Sequence, residues 1–275
     1  MKISFSTLGC PDWDLDTICA RGREYGFDGV DFRGYLDDLD ITRSPIFTDK
    51  AAETKRKLDS AGLKVSGISS GIEICEPENL AANIEEARRT IALAHALDCD
   101  TVRVFAGWNA DEIGHDAAAD IGRDCMDAIL ALDGARDLRW LFETHEGWLH
   151  ADEIALLLER IPDPAFGLLW DVGNTAEMDG ASPHEILTIA GERLGYVHVK
   201  DAVYDPDHPL TTESGWRYVN PGEGQFRLNE AISALQEYGY DGWVVLEHEK
   251  RWLPEIAEPE EIFPAFVRWA RSLRV

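Results

Sequence analysis

Three carboxylates and an imidazole hold the pattern most capable of chemistry in this chain. Glu143, Asp171, His198 and Glu247 each end a short apolar run: Leu138-Arg-Trp-Leu-Phe-Glu143, Phe166-Gly-Leu-Leu-Trp-Asp171, Leu194-Gly-Tyr-Val-His198 and Trp243-Val-Val-Leu-Glu247. Runs of this length, bounded by turns and helical stretches, read as strands buried on both faces. Side by side in a parallel sheet, such strands point their carboxyl ends the same way. The four side chains then converge as the ligand set of one divalent metal. Singly, each has a plainer role: an acid after a strand caps a helix, and a histidine in an apolar run is a hydrogen-bonded core residue. Four consecutive strand ends with metal-compatible side chains favour the metal. Three carboxylates converging without a cation would repel and raise one another's pKa. Oxygen-rich ligation with one imidazole suits manganese first, with magnesium, cobalt or zinc as alternatives, and does not suit a structural zinc site.

The elements that must position these residues alternate along the chain. Strand-like runs fall near residues 3–8, 29–32, 63–68, 101–105, 139–142, 166–171, 195–200 and 242–247. Helical stretches follow at 14–25, 48–61, 77–97, 116–132, 151–160, 183–193, 228–238 and 259–271. Helix starts are signalled by Asp14 before Leu15 and by Ser182-Pro183 with Glu185. Gly26, Gly62 and Gly239 close helices before the next unit. Eight such units predict an α/β fold, a single-domain (β/α)8 TIM barrel over residues 1–275. An open doubly wound sheet fits less well, because no Gly-rich fingerprint follows the first strand. One long irregular stretch, 202–226, interrupts the pattern and reads as a functional loop, a lid or a substrate flap.

Composition bounds the partners. The chain has 275 residues, 45% hydrophobic, enough to bury a sizeable core. A formal charge of −26 disfavours nucleic acid and anionic membrane and leaves small diffusible substrates. Cys10, Cys19, Cys75, Cys99 and Cys125 form no C-x-x-C pair, which points to a reducing cytoplasm. No secretory signal is read in the first residues, and no apolar run approaches the ~20 residues of a membrane helix. The expectation is a soluble cytoplasmic protein, with homo-oligomerisation open. Seven lysines against nineteen arginines, with 52 acidic residues, suit either a salt-rich cytoplasm or an ordinary acidic bacterial enzyme.

The segments Phe142-Glu-Thr-His145, Trp170-Asp-Val-Gly-Asn174, Val197-His-Val-Lys-Asp201, Pro221-Gly-Glu-Gly224 and Leu246-Glu-His-Glu249 carry a resemblance. The chain resembles the xylose-isomerase-like barrel superfamily. This sugar phosphate isomerase/epimerase group includes tagatose-type ketose 3-epimerases, hydroxypyruvate isomerases, inosose dehydratases and the class IV endonucleases, of the AP endonuclease family 2 type. In its epimerase branch the resemblance implies that Glu143, Asp171, His198 and Glu247 hold one divalent metal, with Glu143 and Glu247 as the acid/base pair. The residue types suit that chemistry. Removing a proton beside a carbonyl makes an enediolate, which a Lewis acid stabilises while two carboxylates take and return the proton.

The chain also departs from its relatives. Asn174 stands where the endonucleases and typical ketose epimerases have histidine. The early strand ends offer Arg33 and Ser69-Ser-Gly71 in place of the endonuclease histidines, and Trp216-Arg-Tyr218 replaces an Asp-x-His. A three-zinc nuclease therefore lacks its ligands.

Further candidates surround the four. His145 binds a substrate hydroxyl or braces the ligands; Lys200 and Arg217 neutralise an anionic group or are solvated loop charges; Arg33, Asn174 and Trp108 are further substrate contacts. Trp13, Trp148, Trp216 and Trp252 also fall in expected mouth loops, where aromatic faces stack on sugars or pack the rim. Glu249-Lys-Arg-Trp252 reads as an ion pair before the last helix. His95, His115, His150, His184 and His208 are assigned to helices or surface loops. The leading expectation is a metal-dependent isomerase or epimerase of a small polyhydroxylated keto substrate. The alternatives are a dehydratase of an inosose or 3-keto sugar and a barrel that binds sugar without turnover.

Overall fold

Continuous apolar character within each run decides the architecture, because every strand must bury one face inside a barrel and the other under helices. The computed structural model describes residues 1–145 and 147–275. Its strands are β1 (Lys2–Ser6), β2 (Gly29–Phe32), β3 (Lys64–Glu73), β4 (Thr101–Phe105), β5 (Arg139–Glu143), β6 (Phe166–Asp171), β7 (Leu194–Val199), β8 (Asp201–Tyr204), β9 (Trp216–Val219) and β10 (Trp243–Leu246). All but β8 and β9 close a parallel barrel in the order β1-β10-β7-β6-β5-β4-β3-β2. The helices are α1 (Leu15–Tyr25), α2 (Ala51–Ala61), α3 (Leu80–Leu97), α4 (Ala110–Ile113), α5 (His115–Leu130), α6 (Ala151–Arg160), α7 (Val172–Glu177), α8 (Pro183–Ala190), α9 (Leu228–Tyr238) and α10 (Pro259–Ser272). The expected (β/α)8 fold is the fold observed.

Two layers of core follow from the period of two. Leu141, Leu169, Tyr196 and Val245 form a fully buried cluster of their own. Their neighbours Trp140, Phe142, Leu168, Trp170, Val197, Val244 and Leu246 belong to the larger cluster shared with the helices. Trp140 donates from Nε1 to the Ala135 carbonyl at 2.9 Å, and Trp170 to Thr175 Oγ1 at 3.0 Å, so both bulky rings are buried with their polar atom satisfied. Counting two residues onward from the inner cluster gives Glu143, Asp171, His198 and Glu247. The same face of each strand that supplies the floor therefore supplies the next layer up.

Helix boundaries depart from expectation by a few residues. α2 starts at Ala51 because Ile46 and Phe47 sit in turns ahead of it, and a 3-10 turn (Pro77–Asn79) precedes α3. α1 is capped as read: Asp14 accepts from the Thr17 amide at 2.8 Å, and Gly26 ends it at φ 88°. The larger correction concerns 202–226, which is not irregular throughout. β8 and β9 pair antiparallel there, from Asp201 against Val219 to Tyr204 against Trp216. Two four-residue strands separated by turn-forming residues leave little period to read. Asp201 anchors the return of the chain, accepting from the amides of Gly222 (2.8 Å), Gly224 (2.9 Å) and Phe226 (3.2 Å). Gly224 is required there, since a Cβ would lie 2.0 Å from Asp201 Oδ1.

Candidate metal centre

The strand ends bring Glu143, Asp171, His198 and Glu247 together, all buried, with one ligand atom from each lying within 4.8 Å of the others. His198 turns Nδ1 toward the carboxylates, 3.3 Å from Glu143 Oε1, 3.2 Å from Glu247 Oε1 and 3.9 Å from Asp171 Oδ2. Its Nε2 faces Asp31 Oδ2 at 3.9 Å. Asp31 is in turn fixed by the Tyr196 hydroxyl at 2.9 Å and the Ser69 hydroxyl at 2.9 Å. Neither ring nitrogen of His198 nor Asp171 Oδ2 makes a hydrogen bond. Buried polar atoms left this way are costly, and a cation between His198 Nδ1 and the carboxylates would engage Nδ1 and Asp171 Oδ2 together, leaving Nε2 to Asp31. The donor set thus fits a divalent metal: three carboxylate oxygens and one imidazole nitrogen aimed at one point.

Cations hold the outer oxygens. Arg103 Nη1 donates to Glu143 Oε2 at 2.9 Å, and its guanidinium lies 3.7 Å from the centre of the Phe105 ring. Lys200 Nζ lies 2.7 Å from Glu247 Oε2, 3.0 Å from Asp171 Oδ2 and 3.0 Å from Glu249 Oε1. Asp171 Oδ1 accepts from the Asn174 amide at 2.8 Å as the N-cap of α7, which turns Oδ2 inward. Asn174 itself donates from Nδ2 to the Thr144 carbonyl at 3.0 Å, so it braces Asp171.

The electrostatics follow from this sharing. Burial and the Glu247 charge push the Glu143 carboxyl up, but Arg103 and His198 outweigh them and hold it below its usual range. Burial likewise opposes ionised Glu247, and Lys200 and His198 bring it well below. Asp171 moves the other way: burial, with repulsion from Glu247 and Glu143, outweighs Lys200 and raises it to about 7. Burial lowers the Lys200 ammonium, yet Asp171, Glu247 and Glu249 raise it well above the ordinary lysine value.

A cavity of about 210 Å³ opens above these groups, lined by Leu8, Arg33, Arg103, Phe105, Glu143, His145, Glu247, Glu249 and Trp252. Of the further candidates it therefore includes His145 and Arg33, with Lys200 just beneath. His145 packs its ring against Phe105, with centroids 5.1 Å apart. Arg217 is elsewhere, on the hairpin with its Nε 3.4 Å from Asp205. Trp108 stands on the rim, 59% exposed and outside the cavity lining. Trp13 and Trp148 do not reach the mouth; both are buried in the core, Trp148 edge-on to His115. Trp216 packs on Phe226.

Arg103, Asp31, Tyr196 and Glu249 were not read from the sequence as site residues. Arg103 and Asp31 had a signal there: a charged residue inside an apolar run, Thr101-Val-Arg-Val-Phe105 or Gly29-Val-Asp-Phe32, needs a buried partner.

Among proteins of known activity, the inosose dehydratase of Geobacillus kaustophilus (strain HTA426) is 28% identical over 132 residues, 44% of this chain and 42% of that enzyme. The chain thus matches less than half the length of such relatives. A probable 3-DHS dehydratase of Bacillus anthracis involved in petrobactin synthesis shares the fold, with a TM-score of 0.78 at 18% identity over 100% of both chains. So does a D-psicose 3-epimerase of Clostridium cellulolyticum H10, solved with D-tagatose, with a TM-score of 0.72 at 15% identity over 100% of this chain and 98% of that one. A family model, xylose isomerase-like TIM barrel, matches residues 19–273. With its closed eight-strand barrel and that match, the chain belongs to the xylose isomerase-like TIM barrel family.

Proposed function

We propose that this protein is a divalent-metal-dependent isomerase or epimerase that enolises a small polyhydroxylated keto substrate. Glu143, Asp171, His198 and Glu247 would hold the ion, and Glu143 and Glu247 would transfer the proton. The observation that carries this reading is the convergence of four buried ligand atoms within 4.8 Å at the mouth of the barrel. Held by these four residues, a divalent cation would supply Lewis-acid polarisation of the substrate's oxygens.

The chain's own residues do the rest. Glu143 and Glu247 are held ionised, as a base must be, by Arg103 and Lys200 on their outer oxygens. One removes the proton beside the carbonyl, leaving an enediolate, and a proton returned at the same or the neighbouring carbon gives epimer or isomer. His145, Arg33 and Trp252 orient the substrate in the cavity and exclude water from it.

Dehydration is a second reading, favoured by the name of the curated relatives. The carboxylate that takes the proton beside the carbonyl would pass it to the departing β-hydroxyl, which leaves as water while the enolate collapses to an enone.

Turnover in heavy water tests both readings. Protein purified without chelator is expected to carry close to one divalent ion per chain by elemental analysis. Screened against ketoses, keto-inositols and 3-keto sugars, it should place deuterium on the carbon next to the carbonyl. A labelled product of otherwise unchanged mass marks isomerisation or epimerisation, and loss of water with an enone absorbance marks dehydration. Turnover by redox change, or by hydrolysis without exchange at that carbon, overturns the enolisation.

A further inference from the structure

Among the described residues, the lysine and arginine cations around the cavity are paired with carboxylates except Arg33. Arg103 is paired with Glu143, and Lys200 with Glu247, Asp171 and Glu249. Arg33 follows β2 two positions after Asp31, so it stands one layer above Asp31 on the same barrel face, and it lines the cavity. Its backbone amide donates to Thr7 Oγ1 at 2.9 Å. Its guanidinium makes no side-chain hydrogen bond and has no carboxylate within 4.0 Å among the described residues. The residue is half-buried at the cavity wall, and burial together with Arg103 outweighs the pull of Glu86, Glu143 and Glu247 and lowers its pKa to about 10. The guanidinium thus faces the cavity with its donors uncommitted, where an anion that arrives with a ligand would engage them.

We propose that Arg33 is the subsite for a carboxylate on the substrate, so that the substrate is a hydroxylated keto acid and not a neutral sugar. The proposal rests on reading this cavity as the substrate site. A carboxylate fits better than a phosphate for two reasons. One guanidinium fork matches the two oxygens of a carboxylate in a bidentate pair. A phosphate dianion needs more donors than the cavity has free, since Arg103 and Lys200 are engaged by their own carboxylates and Glu249 stands opposite. Arg33 thus sorts substrates by charge, while the strand-end carboxylates act on the keto carbon.

Three six-carbon polyols that differ only at C1 test this: D-gluconate, D-glucitol and D-glucitol 1-phosphate. Binding of each to the manganese-loaded full-length chain is measured by titration calorimetry for the parent, Arg33→Gln and Arg33→Lys. The parent should bind gluconate more tightly than glucitol by roughly 10- to 100-fold, the worth of a charge-assisted pair. Arg33→Gln should erase that preference, and Arg33→Lys, which keeps the charge without the fork, should keep part of it. If Arg33→Gln does not fold, Arg33→Lys decides alone, and an unreduced preference in it overturns the proposal. Equal affinity for gluconate and glucitol, no binding of either, tighter binding of the phosphate, or a preference that survives Arg33→Gln also overturns it. The enolisation reading fails separately. Deuterium exchange into neutral ketoses with no gluconate preference sinks only the Arg33 assignment, whereas a gluconate preference lost with Arg33 but no exchange in any keto compound sinks only the chemistry.

Discussion

Glu143 and Glu247 are alike in sequence setting but not in partner. Each turns one oxygen to the shared centre, and each fixes the other on a cation, Arg103 in one case and Lys200 in the other. Replacing either carboxylate with an amide removes a proton acceptor, so Glu143→Gln and Glu247→Gln should each lower kcat by at least about 10²- to 10⁴-fold. Their stabilities should differ. Glu143→Gln leaves Arg103 buried without a counter-charge, a loss of about 3–5 kcal/mol where such pairs are broken. Glu247→Gln gives up the attraction of Lys200 and His198 but leaves Lys200 paired with Asp171 and Glu249, so its loss should be smaller than that of Glu143→Gln. Equal melting of the two variants would contradict the assigned partners, and retained turnover in either would contradict the acid/base pair. At this scale the sequence was legible where chemistry coincides with strand ends. It showed Arg103 and Asp31 only as charges inside apolar runs and not their roles, because a buried charge is explained only by its partner, and Glu143 lies 40 residues from Arg103.

At the scale of elements, the eightfold alternation was readable because both faces of each barrel strand are covered and every crossover is a helix. The β8–β9 hairpin was not, since its short strands bury no continuous face and its anchor, Asp201, acts through the amides of Gly222, Gly224 and Phe226. Another loop is held in the same manner. Asp40, after β2, accepts from Arg43 Nε at 2.8 Å, from Arg89 Nη2 on α3 at 2.9 Å and from Thr42. Burial alone would raise the Asp40 carboxyl; its bonds to Thr42, Arg43 and Arg89 outweigh burial and lower it. A depressed carboxyl contributes stability that is present above its unfolded pKa and lost as pH falls through the folded one. Asp40→Asn should therefore cost about 1 kcal/mol at pH 7. The gap to the parent should close as the pH drops below about 4. Urea unfolding at a series of pH values measures it, and a gap that stays constant into acid would show that the carboxylate charge is not what ties this loop to α3.

The molecule as a whole carries twice as many acidic as basic side chains, 52 against 26. Many of the cations are already committed. Arg21, Lys55, Lys57, Arg123 and Arg160 pair with nearby acids on the helices, and Arg103 and Lys200 are drawn into the site. The excess is therefore a field of like charges spread over the surface, and its repulsion is relieved when the chain expands. Salt screens it: the Debye length falls from about 10 Å at 0.1 M to about 3 Å at 1 M, shorter than the spacing of most surface charges. The melting temperature should therefore climb steadily between low and molar sodium chloride, by several degrees if screening recovers a few kcal/mol. Potassium chloride at the same ionic strength should give the same rise, because screening depends on ionic strength and not on the cation. Sulfate should add to it by exclusion from the surface, which acts even on a neutral protein. A chloride series without a rise would mean that the existing pairs already neutralise the field locally. In that event the acidic composition would reflect solubility alone, and the salt-rich interior suggested by seven lysines against nineteen arginines would lose its physical basis.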